Sequence, residues 1–450
     1  MAVNSPNTSI RPVTARTNSQ GHLEIGGADT TVLAEQFGTP LWVMDEETIA
    51  QSAKACKAGL KDSNYPEWQV LYAGKAFLCL AMCKLTEKFA LGLDVVSYGE
   101  LHTAVKAGLS GESVYLHGNN KSSEEIEAAI KHNIRIVVDC ESELYLVAKL
   151  SKSIGTTANI LFRVTPGVEP DTHHYIKTGQ HDSKFGLALE DIARLAQVAK
   201  DLEPDIALLG LHAHIGSQSH DLGPFLEIVD IFADCFAELK DKGIQLSHLD
   251  VGGGLGITYT EADKATPIYE WAHAIGKKVK ESFEKRQLVL PKLLVEPGRA
   301  IVGTAGVTLY KAGSKKELPG NITYLSIDGG MADNPRPVTY QAKYSACVAN
   351  RQASGAKKIT LVGKYCESGD VLIKDIPLAA EPGDLIAVFN TGAYNYSMSS
   401  NYNRTGRPAC VLVKDGLANI IIERESADDL LRQDRIPDYL RTENARNCAF

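Results

Sequence analysis

What most limits the fold of this chain is an alternation running from about residue 46 to residue 300. Short, almost continuous apolar runs are each followed by a stretch of helical periodicity. Eight such runs are expected as strands: Val70–Ala73, Gly92–Val96, Ser113–Leu116, Ile134–Val138, Ile160–Val164, Ile206–His214, Leu246–Val251 and Leu293–Glu296. Between them the spacing predicts helices such as Leu78–Phe89, Tyr98–Ala107, Ser123–His132, Ser142–Ser153, Glu190–Leu202, Pro224–Lys242 and Pro267–Lys285. Strands apolar on both faces belong in a parallel sheet covered on both sides. Eight βα units in about 250 residues point to a closed (β/α)8 barrel of the TIM type.

Beyond Ile301 the text changes. Short alternating strands are expected at Ile322–Ile327, Lys358–Val362, Leu385–Phe389, Ala409–Val413 and Asn419–Glu423, parted by turns such as Glu381-Pro382-Gly383-Asp384. The fold class is therefore α/β plus β, a barrel followed by a β-sandwich or β-barrel domain. The segment with Leu33, Leu41 and Val43 is expected to add a strand to that second domain. The expected division is 1–45 for an N-terminal arm and strand joining the β domain, 46–303 for the barrel and 304–450 for the C-terminal β domain.

Composition narrows the function classes. With 47 Lys and Arg against 55 Asp and Glu the formal charge is −8, the wrong sign for nucleic acid as main partner. No apolar run approaches the roughly 20 residues that span a bilayer. Nine scattered cysteines without CxxC spacing suit a reducing compartment, the cytoplasm, rather than a disulfide framework or zinc site. Residues 1–23 hold no Asp or Glu but carry Arg11 and Arg16. Two readings stand for them: an organelle transit sequence, which would place the protein in a plastid stroma, or a polar, poorly ordered arm.

In such barrels chemistry collects at the C-terminal ends of the strands. Lys75 follows the first strand, Asp94 lies in the second, and His117 follows the third. Arg163 ends the fifth, and His212 and His214 end the sixth. Gly252-Gly253-Gly254 follows the seventh and Glu296-Pro297-Gly298-Arg299 the eighth. Seven of eight strand ends thus carry a polar or glycine feature that packing alone does not require. The glycines are read as a phosphate cradle of backbone N–H groups or as a plain turn. His212 and His214, two apart on a strand, share a face, the spacing of a barrel zinc site; no carboxylate falls at convincing ligand spacing, and no metal is expected.

The ordered motifs carry a resemblance. They are Tyr72-Ala73-Gly74-Lys75-Ala76, Thr178-Gly179-Gln180-His181-Asp182-Ser183-Lys184-Phe185-Gly186, His212-Ala213-His214-Ile215-Gly216-Ser217-Gln218, Gly252-Gly253-Gly254 and Glu296-Pro297-Gly298-Arg299. In the second domain they are Asp328-Gly329-Gly330-Met331, Arg336-Pro337, Cys366-Glu367-Ser368-Gly369-Asp370, Gly392-Ala393-Tyr394 and Asn401-Tyr402-Asn403-Arg404. Together they resemble the diaminopimelate decarboxylases, pyridoxal 5'-phosphate enzymes whose barrel-plus-β-domain type is shared with alanine racemase and ornithine decarboxylase. Neither the N-terminal arm nor the tail after about residue 425 is covered by a motif.

The resemblance implies decarboxylation of meso-2,6-diaminopimelate to L-lysine and CO2, the last step of lysine biosynthesis. The alternative within the same architecture is a decarboxylase of a polyamine precursor: carboxynorspermidine, ornithine or arginine. A metal-dependent barrel hydrolase and a non-catalytic pyridoxal-phosphate binder are the alternatives from other classes. Lys75 is implied as the amine that takes the cofactor aldehyde, its pKa expected to be depressed by burial among other positive groups. His214 is implied to stack on the cofactor ring. Ser217, Gly252, Gly253, Gly254 and Tyr394 would hold the phosphate. Glu296 would face the pyridine nitrogen, where related racemases place an arginine. Asp94 and Arg163 would orient Lys75 and the ring, with Pro297, Gly298 and Arg299 completing the cofactor site.

For the substrate, Arg299, Arg336 and Tyr340 would take the distal carboxylate, with Tyr394 alongside, and Glu367 the distal ammonium. Cys366 is implied as a catalytic residue which, with Glu367, reaches the barrel of the other subunit in a head-to-tail homodimer.

Overall fold

The computed structural model describes residues 3–168 and 183–441. Eight parallel strands close a barrel: β2 (Trp68–Ala73), β3 (Gly92–Val95), β4 (Val114–Leu116), β5 (Arg135–Val138), β6 (Ala158–Thr165), β7 (Ile206–His212), β8 (His248–Asp250) and β9 (Lys292–Val295). Pairing of β9 with β2 and of β5 with β6 completes the ring. Leu71, Tyr115, Val137, Leu161 and Leu294 fill its interior as one buried set. The opposite faces of the strands pack on the helices through a far larger core. Inward and outward residues are both apolar, which is why the strands read as continuous apolar runs.

Local chemistry sets the helix starts. Ser97 caps Tyr98–Lys106, and Ser122 with Glu125 forms a capping box on Ser123–Lys131, each side chain satisfying otherwise unpaired N–H groups. A helix at Glu46–Asp62, absent from the sequence reading, packs extensively on Ile268–Lys285.

The second sheet begins before the barrel. Strand β1 (Leu41–Asp45) pairs antiparallel with β10 (Gly306–Leu318) and parallel with β16 (Ala409–Lys414). The sheet order is β14 (Val371–Leu378), β13 (Lys357–Val362), β11 (Ile322–Ile327), β10, β1, β16, β17 (Leu417–Ile422). To it β15 (Leu385–Phe389) and β12 (Ala346–Val348) attach through β10. The expected extra strand from the N-terminal segment is β1, whereas Leu33 lies in a helix, Thr30–Phe37. Strands β10, β12 and β14 escaped the sequence reading; the last five residues of β10, Ser314–Leu318, are an exposed or half-buried run with two lysines, which carries no apolar alternation.

From residue 3 onward the N-terminal arm is packed rather than poorly ordered. Asn7 is fully buried, donating to the Gly256 and Thr266 carbonyls and accepting from the Ile268 N–H. No helix among the described residues is long and apolar enough to cross a membrane.

Candidate active site

One cavity of about 810 Å³ opens at the C-terminal ends of the barrel strands. Its wall draws on both halves of the chain. Lys75, His117, Arg163, His212, His214, Ser217, Glu296 and Arg299 come from the barrel, and Arg336, Tyr340 and Tyr394 from the second domain. The second domain is clipped directly beside Lys75, because the Tyr394 N–H and the Ser397 hydroxyl both donate to the Ala76 carbonyl.

Lys75 Nζ stands 3.3 Å from Asp94 Oδ2, and Asp94 is fully buried behind it. Burial works to lower the lysine's pKa, but Asp94, Tyr394 and Glu296 outweigh it and the net shift is upward. This corrects the expectation of a depressed amine: the partner within reach is a carboxylate, which favours the ammonium.

Glu296 is the centre of the floor. His117 Nε2 lies 2.9 Å from its Oε1 and His212 Nε2 3.4 Å from its Oε2. Burial opposes the charge on Glu296, but the two histidines, His117 foremost, hold its carboxyl well below the usual range. His212 is itself pushed down to about 3, chiefly by burial, and His214 well below its ordinary value by burial and by Lys75 and Arg163. Asp250, at the end of β8, moves the other way: burial and the neighbouring Glu296 raise it far above a normal carboxylate. Of this acidic pair, Glu296 is the ionised member.

The histidine geometry differs from the sequence expectation. Strand β7 stops at His212, so His214 lies past its end, where Nδ1 accepts from the Gly253 N–H at 3.3 Å. The three groups whose ligating atoms lie within 4.8 Å of one another are His117, His212 and Glu296, not His212 with His214.

The glycines have a packing reason. A Cβ on Gly253 would stand 1.9 Å from the Glu296 carbonyl oxygen, one on Gly254 2.1 Å from that of Gly216, and Gly252 adopts φ +69°. Gly252–Gly254 therefore let three strand-end loops touch, and they lie outside the cavity wall, as do Pro297 and Gly298. Cys366 and Glu367 are exposed and also outside it, the Cys366 N–H donating to Asn403 Oδ1. The first five residues of the Thr178–Gly186 motif lie outside the described residues, as does Cys448; Phe185 reaches the wall.

Sequence reasoning missed Tyr259 and Tyr344. Arg299 Nη1 and Arg336 Nη1 both donate to the Tyr259 hydroxyl, at 2.6 and 2.8 Å, and Arg336 donates to Tyr344 at 2.7 Å. Arg299 Nη2 donates to Ser217 Oγ at 2.8 Å. Two guanidiniums from different domains are thus fixed on one phenol. Tyr259 follows the glycine loop in an irregular stretch, and no local pattern marks it.

The wall fits pyridoxal phosphate. Glu296 Oε1 is buried with no aligned hydrogen-bond donor, since His117 sits close but off line, and so can meet a pyridinium N–H. An amine, a histidine ring and the Ser217 and Tyr394 hydroxyls surround the same space.

Comparison with known proteins agrees. The family model described as the pyridoxal-binding domain of pyridoxal-dependent decarboxylases matches residues 49–303. A diaminopimelate decarboxylase of Synechocystis is 46% identical over 97% of this chain and 95% of its own length. One from Bacillus subtilis is 47% identical over 94% and 97%. Among solved structures, the diaminopimelate decarboxylase of M. jannaschii in complex with L-lysine superposes with a TM-score of 0.88 at 36% identity, covering 96% of this chain and 99% of that one. By sequence and by fold, the chain belongs to the diaminopimelate decarboxylases, within the pyridoxal-dependent decarboxylases.

Proposed function

We propose that this cavity decarboxylates meso-2,6-diaminopimelate to L-lysine and CO2, the last step of lysine biosynthesis, with pyridoxal 5'-phosphate as cofactor. The observation that carries the reading is the pairing of an ionised Glu296 on the floor with Arg299 and Arg336 joined at Tyr259 on the wall. When bound, pyridoxal phosphate supplies an electron-accepting ring conjugated to the amino group of the substrate. Lys75 is the amine placed to hold it, and Asp94 fixes the direction of Lys75. Glu296, kept anionic with His117 beside it, would hold a proton at the ring nitrogen and so favour the ring's uptake of electrons from the substrate. His214 covers one ring face; Ser217 and Tyr394 take the phosphate end, with the Gly252–Gly254 loop packed behind them against His214 and Gly216.

The far end of the substrate selects it. Arg299 and Arg336 meet the distal carboxylate through charge-assisted bonds, with Tyr340 beside them. A polyamine precursor that ends in an amine offers these cations nothing. Glu367 takes the distal ammonium, and it enters with Cys366 from a second copy of the chain in a head-to-tail dimer. Support for that arrangement is the exposure of both residues outside the cavity of their own chain. The units of this reading are residues 46–303 as barrel, 304–450 as β domain and 1–45 joining the latter. Eight free cysteines among the described residues suit a cytoplasmic setting.

The test is to record the absorption spectrum of the purified protein, then supply meso-diaminopimelate, ornithine or arginine separately. Lysine and CO2 from the first alone is the expected result. Amine products from the others would replace the substrate assignment, and a colourless protein with bound zinc would end it.

A further inference from the structure

The end of strand β5 is where the sequence showed no feature, and the structure fills it with a buried charge network. Lys121 Nζ, its side chain 2% exposed, donates to Glu143 Oε1 at 2.6 Å and to the Gly118 and Val137 carbonyls at 2.7 Å each. Asp139, just past β5, sends its N–H to the same Glu143 oxygen and accepts the Gly186 N–H on Oδ1. Arg163 Nε stands 3.9 Å from that Asp139 oxygen, beyond hydrogen-bond range, with its guanidinium over the Phe185 ring at 4.2 Å. Arg163, Phe185 and Gly118 all line the cavity, whereas Lys121, Asp139 and Glu143 lie behind it. Two buried acids thus face two buried cations: Lys121 is hydrogen-bonded to Glu143, whereas Arg163 attracts Asp139 across 3.9 Å without a hydrogen bond. Lys184 reaches Asp139 more weakly, from an exposed position.

We propose that Lys121 is a positioning residue: by neutralising Glu143 behind the wall, it leaves Arg163 to the cavity instead of to the acids Asp139 and Glu143. Without Lys121 the linked acids Asp139 and Glu143 keep one buried cation within ion-pair range, Arg163 at 3.9 Å from Asp139, and the uncompensated charge draws it closer. The inference rests on reading the cavity as a pyridoxal-phosphate site for its consequence, but not for its geometry. Lys121→Met should pull Arg163 within hydrogen-bond range of Asp139 and weaken pyridoxal-phosphate binding about tenfold, as Arg163→Met should directly. Lys121→Met with Glu143→Gln removes both members of the pair. It should return Arg163 to its present distance and binding to within about threefold of the parent.

Crystal structures of both variants and a spectroscopic titration of the cofactor-free proteins decide the matter. Arg163 unmoved in Lys121→Met, or drawn onto Asp139 equally in the double variant, would overturn the proposal. If Lys121→Met yields no folded protein, the double variant decides alone: Arg163 in place with near-parental binding supports the proposal, and loss of either rejects it. Should the parent take up no pyridoxal phosphate, the site reading fails, while the position of Arg163 in the two structures still judges Lys121.

Discussion

Glu296 in the barrel and Asp333 in the second domain are equally buried, each 2% exposed, yet burial has opposite results for them. Around Glu296 stand His117 and His212, and the carboxyl is held well below its ordinary range despite desolvation. Around Asp333 stand donors without charge, the Tyr310 hydroxyl and the Gly330 N–H. Desolvation wins there, and the carboxyl is pushed up to about 7. Neutral hydrogen-bond donors do not offset the desolvation of Asp333, whereas the histidines beside Glu296, His117 foremost, do offset that of its carboxyl. The contrast separates two environments: the barrel floor keeps a buried carboxyl low, and the second domain lets burial raise one.

If the barrel holds the chemistry, its substitutions should act on turnover. Lys75→Ala should reduce kcat by about 10³-fold or more, because the other lysine on the cavity wall, Lys343, is an exposed residue of the second domain and not held at the strand ends beside Asp94. Borohydride trapping followed by peptide mapping checks it, and label on another lysine would refute the assignment. Glu296→Gln should lower kcat by about 10²-fold while the cofactor stays bound, since an amide cannot retain the ring proton as a carboxylate does. A rate within a few-fold of the parent would mean that the barrel does not depend on this charge, and the comparison would break.

The same contrast explains what the sequence could reveal. Barrel residues such as Lys75, His117, Arg163 and Glu296 sit at one strand end per βα unit, so an apolar run followed by a polar break marks them. Asp139 also ends a strand, but its importance depends on Lys121 and Glu143, 18 residues before it and four after, and no spacing announces that network. In the second domain Arg336 and Tyr340 lie on a five-residue helix, and Tyr394 in a loop with φ +61°. Such irregular segments have no period to read, and resemblance alone pointed to them. Tyr259 and Tyr344 matter because two arginines converge on them, a long-range fact. The glycine triplet was legible as special, and the structure adds a packing reason that the sequence did not show: its Cβ-free backbone lets loops pack, with a carbonyl 1.9 Å from where a side chain would begin.

The second domain should act on selection and on assembly. A Lys75→Ala chain and a chain carrying Cys366→Ala with Glu367→Ala should each be nearly inactive. Mixed under subunit exchange they should regain activity, at most one competent site per heterodimer. No recovery despite proven exchange would return Glu367 to its own barrel. Arg336→Ala should raise KM for meso-diaminopimelate about tenfold to a hundredfold with a smaller change in kcat, the effect of losing a charge-assisted clamp worth roughly 1.5–3 kcal/mol. An equal loss in kcat would place Arg336 with the barrel chemistry instead.

The smallest effect bears directly on the pair of acids. Asp333 has a folded pKa of about 7 against 3.8 for the ordinary side chain. Between those values the folded state holds a proton that the unfolded chain has released. The unfolded state therefore binds fewer protons, and stability falls as pH rises through this window, levelling off above about pH 7. The slope from this one group is at most about 1.4 kcal/mol per pH unit. Asp333→Asn removes the titration, keeps one oxygen to accept the Gly330 N–H and turns an amide N–H toward the Tyr310 hydroxyl oxygen. Relative to the parent, the variant should gain stability from pH 5 to pH 7 and run parallel above it, as denaturant unfolding at a series of pH values would show. Parallel curves throughout would mean that Asp333 is ionised over the whole range. It would then need a cation the present geometry does not give it, and the difference between the two buried acids would disappear.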